Sequence, residues 1–256
     1  MSSFGIKNLF SIELENTHCV FSILGIRLKF RYNYFGYKIR GKGNKIIYVD
    51  NGIESVLSPF QKIRGLDIYI EGDNNIIKIA HKNFKNTKID IRNNDATLVF
   101  KETKRTIKYS QIFVMHGKSQ YLEFGKNISV EGAKIFLNEE NSAFIVGDES
   151  MLSAEIVVWA TDGHSIIDKK SQKLLNKVSQ SVRIGDYCWI GYGVYLLKGA
   201  NLPNHTIVGA NSVVVNGFNE EYTIIAGNPA KVIKKDVYWD RKSPARYIAN
   251  KCGVDS

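Results

Sequence analysis

Cysteine is scarce and poorly placed for a framework. Cys19, Cys188 and Cys252 are odd in number, far apart and include no CxxC, which excludes a disulfide scaffold or a zinc knuckle and points to a reducing compartment. Long apolar runs are missing too. The one stretch resembling a targeting segment, Val20 to Ile26, is short, preceded by Glu13 and Glu15 and followed by Arg27 and Lys29. A signal peptide begins basic and continues through a longer apolar region, and a membrane span needs about twenty residues. A soluble, cytoplasmic protein is therefore the expectation. Acidic residues are in the minority, with 25 Asp and Glu against 35 Lys and Arg for a formal net charge of +10. The cations are spread along the chain with no nucleic-acid motif, so the excess favours other polyanions: a polyphosphorylated small molecule, an acidic glycan or an anionic membrane surface. The basic and aromatic stretch Arg27, Lys29, Phe30, Arg31, Tyr32 and Tyr34 reads as a half-exposed strand with solvated charges, with weak membrane-surface association as the alternative. Nothing in the 256 residues demands more than one core.

What is abundant is a short period. Six consecutive hexads, IGDYCW, IGYGVY, LLKGAN, LPNHTI, VGANSV and VVNGFN, begin at Ile184, Ile190, Leu196, Leu202, Val208 and Val214. An aliphatic residue at every sixth position, with small residues between, is the signature of a solenoid. Each hexad supplies a short strand and a corner, the leading residue points inward, and three hexads complete a triangular coil. The register is visible again at Val146, Leu152 and Val158, and from Leu66 onward short aliphatic strands with Asn, Asp and Gly turns read as degenerate coils. Residues 1–60 lack the hexad, show alternating stretches such as Ile46 to Val49 with Gly41, Gly43 and Gly52 as turns, and are expected to form an irregular β cap. The solenoid is expected over 61–235 and a tail over 236–256. Thr161 to Ser181 breaks the period as an inserted loop containing His164, and solenoid loops leave and return at a corner. After the last hexad, Asn216 to Glu221 reads as a turn and Ile224 to Ile233 as a final edge. Ser243 to Lys251, with Pro244, reads as a short helix that would cover the open end.

With the ending AGNPAKVIKK at Ala226 to Lys235, the chain resembles the hexapeptide-repeat acyltransferases, most closely those that O-acetylate sugars of surface polysaccharides. The resemblance is strong over 145–235 and weak before it. It implies an all-β fold, a left-handed parallel β-helix; the handedness rests on the resemblance alone, since parallel crossovers in general favour the right hand. It also implies acetyl-CoA as acyl donor, and a homotrimer whose sites lie between subunits. TDGHSIID (Thr161 to Asp168) and IGDYCWIGYG (Ile184 to Gly193) carry the family's His and Trp as His164 and Trp189. By resemblance, His164 is the general base that a weakly nucleophilic sugar hydroxyl requires. The backbone N–H of Tyr192 serves the oxyanion. Trp189 walls the thioester and pantetheine or the acceptor sugar, and Ala210 offers its N–H to pantetheine with Val215 and Asn216 alongside. Lys231 and Lys234 meet the coenzyme phosphates. Relatives often have Thr-Lys where this chain has Val215-Asn216, which weakens a cofactor contact but leaves the later lysines intact.

Asp162 and Asp168 both stand as candidates to orient the imidazole, with Asp162 ahead. Cys188 sits in the small corner slot of its hexad and is assigned to packing, so direct transfer in a ternary complex is expected. His18, His81, His116 and His205 are taken as structural, His205 as a surface turn residue. The expected function is acetyl-CoA-dependent O-acetylation of a carbohydrate hydroxyl, on a sialic acid-containing or other bacterial surface glycan. Two alternatives remain open: N-acetylation of an amino sugar or small amine, and a noncatalytic β-helix that binds glycans. The metalloenzyme alternative on this fold, the γ-type carbonic anhydrases, needs two imidazoles five positions apart, and no HxxxxH occurs; no metal is expected.

Overall fold

The computed structural model describes residues 10–15, 18–23, 26–31, 37–58, 61–176 and 181–251, the first three segments as backbone only. Tyr32, Tyr34 and Cys252, and the side chains of His18, Cys19, Arg27, Lys29, Phe30 and Arg31, lie outside the described residues.

Short strands dominate because the apolar residues alternate, and alternation buries one side of a strand while wetting the other. Gln111–Val114 and Tyr121–Phe124 each show this pattern, with Ile112, Val114, Leu122 and Phe124 buried. Three sheets of eight strands each, parallel except for one antiparallel edge strand in two of them, form the faces of a triangular solenoid. The first face contains Leu66–Glu71, Gln111–Val114, Ile156–Trp159 and Tyr195–Leu197. The second contains Ile76–Ile79, Tyr121–Phe124 and Val182–Ile184, and the third Ser129–Val130, Trp189–Ile190 and Ile207–Val208. In-register stacking makes columns of buried side chains. Ile68, Ile89, Ile112, Ile135, Val158, Leu196 and Val214 follow one another inside the first face. All are buried, and full burial of each such side chain contributes roughly 1.5–3 kcal/mol. The second face adds Phe100, Phe124 and Phe144, with ring centroids 5.5 and 5.9 Å apart.

Corners need backbone partners where strands stop. Between the second and third faces, Asp148 Oδ1 accepts from Lys126 N–H at 2.7 Å, Asp186 Oδ1 from Asp148 N–H at 2.7 Å and Asn204 Oδ1 from Asp186 N–H at 2.8 Å. Each coil thus satisfies the corner of the one before it. Gly185 in this ladder has no room for a side chain, since a Cβ would sit 2.5 Å from Asn204 Oδ1 and 2.7 Å from Asn204 N.

Two expectations about the ends are corrected. The solenoid begins earlier than residue 61: Tyr37–Arg40 pairs in parallel with Leu66–Glu71, and Lys45–Asp50 with Ile76–Ile79. Inward-facing Tyr37 and Ile46 are buried as in later coils, although turns of irregular length hide the period. Among the described residues, the antiparallel structure of the N-terminal region is confined to Phe10–Glu15, His18–Ile23 and Ile26–Arg31, and to Ile53–Val56 against Lys45–Asp50. The helix Pro244–Lys251 does form, but it lies beside the third face rather than over the open end. Arg241 draws the tail there by donating to the carbonyls of Glu149 and Ser150, both at 2.9 Å, and to Ser129 Oγ at 2.8 Å. Trp239 Nε1 donates to the Tyr187 carbonyl at 2.6 Å. A cavity of about 650 Å³ remains between Trp189, Ile207, Trp239, Tyr247 and Ile248.

His81 gives the early coils a pH dependence. It is 5% exposed and stacks on Phe84 at 4.4 Å; Asn83 N–H donates to its Nδ1 at 3.1 Å and Nε2 has no partner among the described residues. Burial pushes its pKa down from 6.5 to about 4. Between those values the unfolded chain binds a proton that the folded chain does not, so stability is complete above about pH 6.5 and falls by about 1.4 kcal/mol per pH unit on acidification toward about pH 4. His81→Phe is expected to flatten this slope. Urea midpoints of both proteins at about pH 7 and about pH 5 check it, and equal slopes would refute it.

Candidate active site

The strand Ile156–Trp159 ends at the corner between the first and second faces, and the chain leaves there, returning as Val182–Ile184. Thr161 is buried at the departure point. Its Oγ1 donates to Glu139 Oε1 at 2.9 Å and accepts from Gly163 N–H at 2.9 Å, and Asp162 N–H donates to the same Glu139 oxygen at 3.1 Å. Asn176, on the returning arm, donates from Nδ2 to the His164 carbonyl at 2.9 Å and to Asp162 Oδ2 at 2.8 Å, while its Oδ1 accepts from Ile166 N–H at 2.9 Å. The imidazole is therefore exposed on a loop whose backbone is fixed on both sides. It faces a cavity of about 480 Å³ shared with His116, Glu139, Trp159, Leu174 and Asn176. Trp159 is the last ring of an outward ladder, 4.3 Å from Phe136, which stacks on Phe113 at 5.1 Å. The volume and the exposed indole suit a sugar-sized acceptor.

Lys198, from the next coil, lies beneath this loop with its side chain 6% exposed. Its Nζ is 3.6 Å from Glu139 Oε1 and forms an ion pair with Asp162. Burial pushes the Asp162 carboxyl up, but the hydrogen bonds from Lys198 and Asn176 and the Lys198 charge outweigh it and hold the pKa below the usual carboxylate value. Asp162 is thus engaged by Lys198 and Asn176, and Asp168 accepts from Ser171 N–H at 2.6 Å and Ser171 Oγ at 2.7 Å. Among the described residues neither carboxylate is hydrogen-bonded to the His164 ring.

The remaining expected residues lie elsewhere on the triangle. Trp189 is on the third face between Met151 and Ile207, its ring 6.1 Å from Trp239 and its Nε1 3.4 Å from Ser153 Oγ. Tyr192 and Ala210 occupy successive turns of the corner joining the third face to the first, where Asn211 N–H donates to the Tyr192 carbonyl at 2.8 Å. That corner borders a groove of about 620 Å³ with Tyr109, Glu155, Tyr195 and Asn211. Val215 and Asn216 follow the strand Val213–Val214, and Lys231 and Lys234 are exposed on the antiparallel last strand Ala230–Lys234 of the third face. One chain therefore brings His164 and Asp162 together but leaves them on a different corner from Tyr192 and Ala210, with Trp189 on the opposite face.

Cys188 is fully buried, and burial pushes its thiol up to about 12, which leaves no thiolate for acyl transfer at neutral pH. His205 is more than a surface turn residue: its ring is sandwiched between Tyr187 at 5.1 Å and Tyr222 at 4.3 Å. Glu139, Asn176, Lys198 and Trp159 are absent from the sequence-derived site. Only Lys198 left a trace, as the one cation at the third position of the six hexads, where the others have Asp186, Tyr192, Asn204, Ala210 and Asn216.

No family model matches the chain. The polysialic acid O-acetyltransferase of Escherichia coli O1:K1 / APEC is 30% identical over 105 residues, 41% of this chain and 34% of that protein, so this chain spans about a third of its length. A Dictyostelium discoideum protein named as a putative acetyltransferase is 32% identical over 136 residues, 49% of this chain and 70% of its own. Among solved structures, the polySia specific acetyltransferase NeuO superposes with a TM-score of 0.60 at 20% identity, covering 85% of this chain and 96% of its own, and so shares the fold. With parallel hexapeptide coils and a putative acetyltransferase matched over most of its own length, the chain belongs to the hexapeptide-repeat, left-handed β-helix acetyltransferase family.

Proposed function

We propose that this protein transfers the acetyl group of acetyl-CoA to a hydroxyl of a carbohydrate, with a sialic acid-containing surface glycan as the acceptor class. The observation that carries this is the exposed His164 imidazole on a backbone-anchored loop, in a cavity walled by Trp159. The donor supplies an activated acyl carbon; the chain supplies the rest. His164, as the neutral imidazole, takes the proton from the acceptor hydroxyl as its oxygen attacks. The Tyr192 N–H stabilises the negative charge growing on the acyl oxygen; as the tetrahedral adduct collapses and the carbon–sulfur bond breaks, the His164 imidazolium gives its proton to the departing thiolate. Trp189, Ala210, Val215 and Asn216 line the pantetheine path and Lys231 and Lys234 receive the phosphates. Asp162 shapes the loop through Lys198 and Asn176 rather than acting on the imidazole.

Because these groups occupy different sides of one triangular solenoid, a complete site takes His164 from one subunit and the coenzyme wall from the next, in a homotrimer. Ile166, Ile167, Leu174 and Leu175 are exposed on the loop, as such a contact would require. The net charge of +10 suits both coenzyme phosphates and an acidic glycan. No helix among the described residues is long and apolar enough to cross a membrane, and a cytoplasmic location, where acetyl-CoA is available, completes the proposal. The test is thiol release from acetyl-CoA against neutral oligosaccharides, sialylated oligosaccharides and amino sugars. Release dependent on a sialylated acceptor is expected. Release only with amines would replace O-transfer by N-transfer, and coenzyme binding without release on any acceptor would sink the catalytic assignment.

A further inference from the structure

The residues around His164 are tied to one another through two carboxylates, and those carboxylates converge on Lys198. Thr161 and Asp162 bond to Glu139 Oε1, Gly163 bonds to Thr161, and Asn176 links the Asp162 carboxylate to the His164 carbonyl and to Ile166. Glu139 comes from the coil before the loop and Lys198 from the coil after it. With its side chain 6% exposed, Lys198 sits between Glu139 and Asp162. It is too deeply placed to meet a coenzyme phosphate, unlike exposed Lys231 and Lys234. Without a cation there, two partly buried carboxylates would approach each other, and repulsion and desolvation would drive the loop outward.

We propose that Lys198 is the positioning residue of the His164 loop: by clamping Glu139 and Asp162 across three successive coils it holds the imidazole where a hydroxyl proton can be taken. This rests on the acetyl-transfer proposal for its kinetic consequence, but not for its structural one. Lys198 touches neither acceptor nor donor. Its effect is on placement, and a displacement of about 1 Å at a reacting group costs on the order of 10²-fold in rate.

The experiment compares wild type, Lys198→Met, Lys198→Arg and Asn176→Ala. Methionine keeps the length and apolar stem of the lysine while removing the charge. Lys198→Met is expected to lower kcat on the order of 10²-fold with KM for acetyl-CoA within about twofold, and Lys198→Arg to recover about tenfold of the loss. Imidazole signals in nitrogen-15 histidine spectra, assigned to His164 by their disappearance in His164→Gln, are expected to shift or broaden in Lys198→Met and Asn176→Ala, and to return toward wild type in Lys198→Arg. This readout needs no turnover, so it stands even if no acceptor is found and the acetyl-transfer proposal fails. If Lys198→Met does not fold, Asn176→Ala carries the test, because it cuts the link to His164 without burying a charge. Unchanged His164 signals with kcat within about twofold of wild type, in the folded variants, would overturn the proposal and leave Lys198 as an ordinary structural ion pair.

Discussion

His164→Ala is expected to lower acetyl transfer about 10²- to 10⁴-fold, the range attributable to a positioned general base, while leaving acetyl-CoA affinity within about twofold. Selectivity for turnover follows from how the residue is held. Asn176 bonds the His164 backbone carbonyl, Gly163 N–H donates to Thr161, and Ile166 N–H donates to Asn176. None of these uses the imidazole, so the loop keeps its shape when the ring is removed. The proposed coenzyme wall at Tyr192, Ala210, Lys231 and Lys234 lies on other parts of the chain's surface. Thiol release gives the rate and calorimetric titration with acetyl-CoA gives the affinity. A mutant that retains wild-type turnover would remove His164 from the mechanism; one that loses coenzyme affinity in parallel would make it a binding residue.

The largest stability loss is expected from Phe124→Ala, about 3–5 kcal/mol. Phe124 is 1% exposed, stacked in register between Phe100 and Val146, with its ring 5.5 Å from Phe100 and 5.9 Å from Phe144. Truncation leaves a void lined by rings held in neighbouring coils, and strands stacked on both sides cannot close it. Solenoid stability resides largely in interfaces between adjacent coils. The loss is therefore expected to appear as a lower urea midpoint and, if the two halves uncouple, as a broader transition with a smaller slope. A midpoint shift worth less than about 1 kcal/mol would show that neighbouring coils relax into the gap.

The two halves of the solenoid were unequally legible. From Ile184 to Val214 the hexad leaders are also the inward residues, and Ile184, Ile190, Leu196, Leu202, Val208 and Val214 are all buried. There each corner is short, so sequence period and structural period coincide. Upstream, the first-face column Ile89, Ile112, Ile135, Val158 advances by 23 residues at each step (112 − 89, 135 − 112 and 158 − 135). In the hexad region the step from Leu196 to Val214 is 214 − 196 = 18. The five extra residues per coil sit in turns such as Met115 to Ser119 and Glu139 to Asn141, which lengthen the corners and blur a period of six without disturbing the inward alternation. For the same reason Tyr37–Arg40 and Lys45–Asp50 passed for an irregular cap although they pair as ordinary coils.

The sequence by itself determined the parallel solenoid, the inserted loop and its histidine, because inward alternation and short corners are local properties that neighbouring residues impose on one another. Only the tertiary structure decided which side chains hold that loop. Glu139, Asp162 and Lys198 are distant in sequence, and they meet only because three coils stack in register at one corner. Stacking likewise placed the tail helix, since Arg241 finds its acceptors on carbonyls of Glu149 and Ser150 that no local pattern could indicate. It also separated His164 from Trp189, because residues in consecutive motifs point from different faces of a triangle.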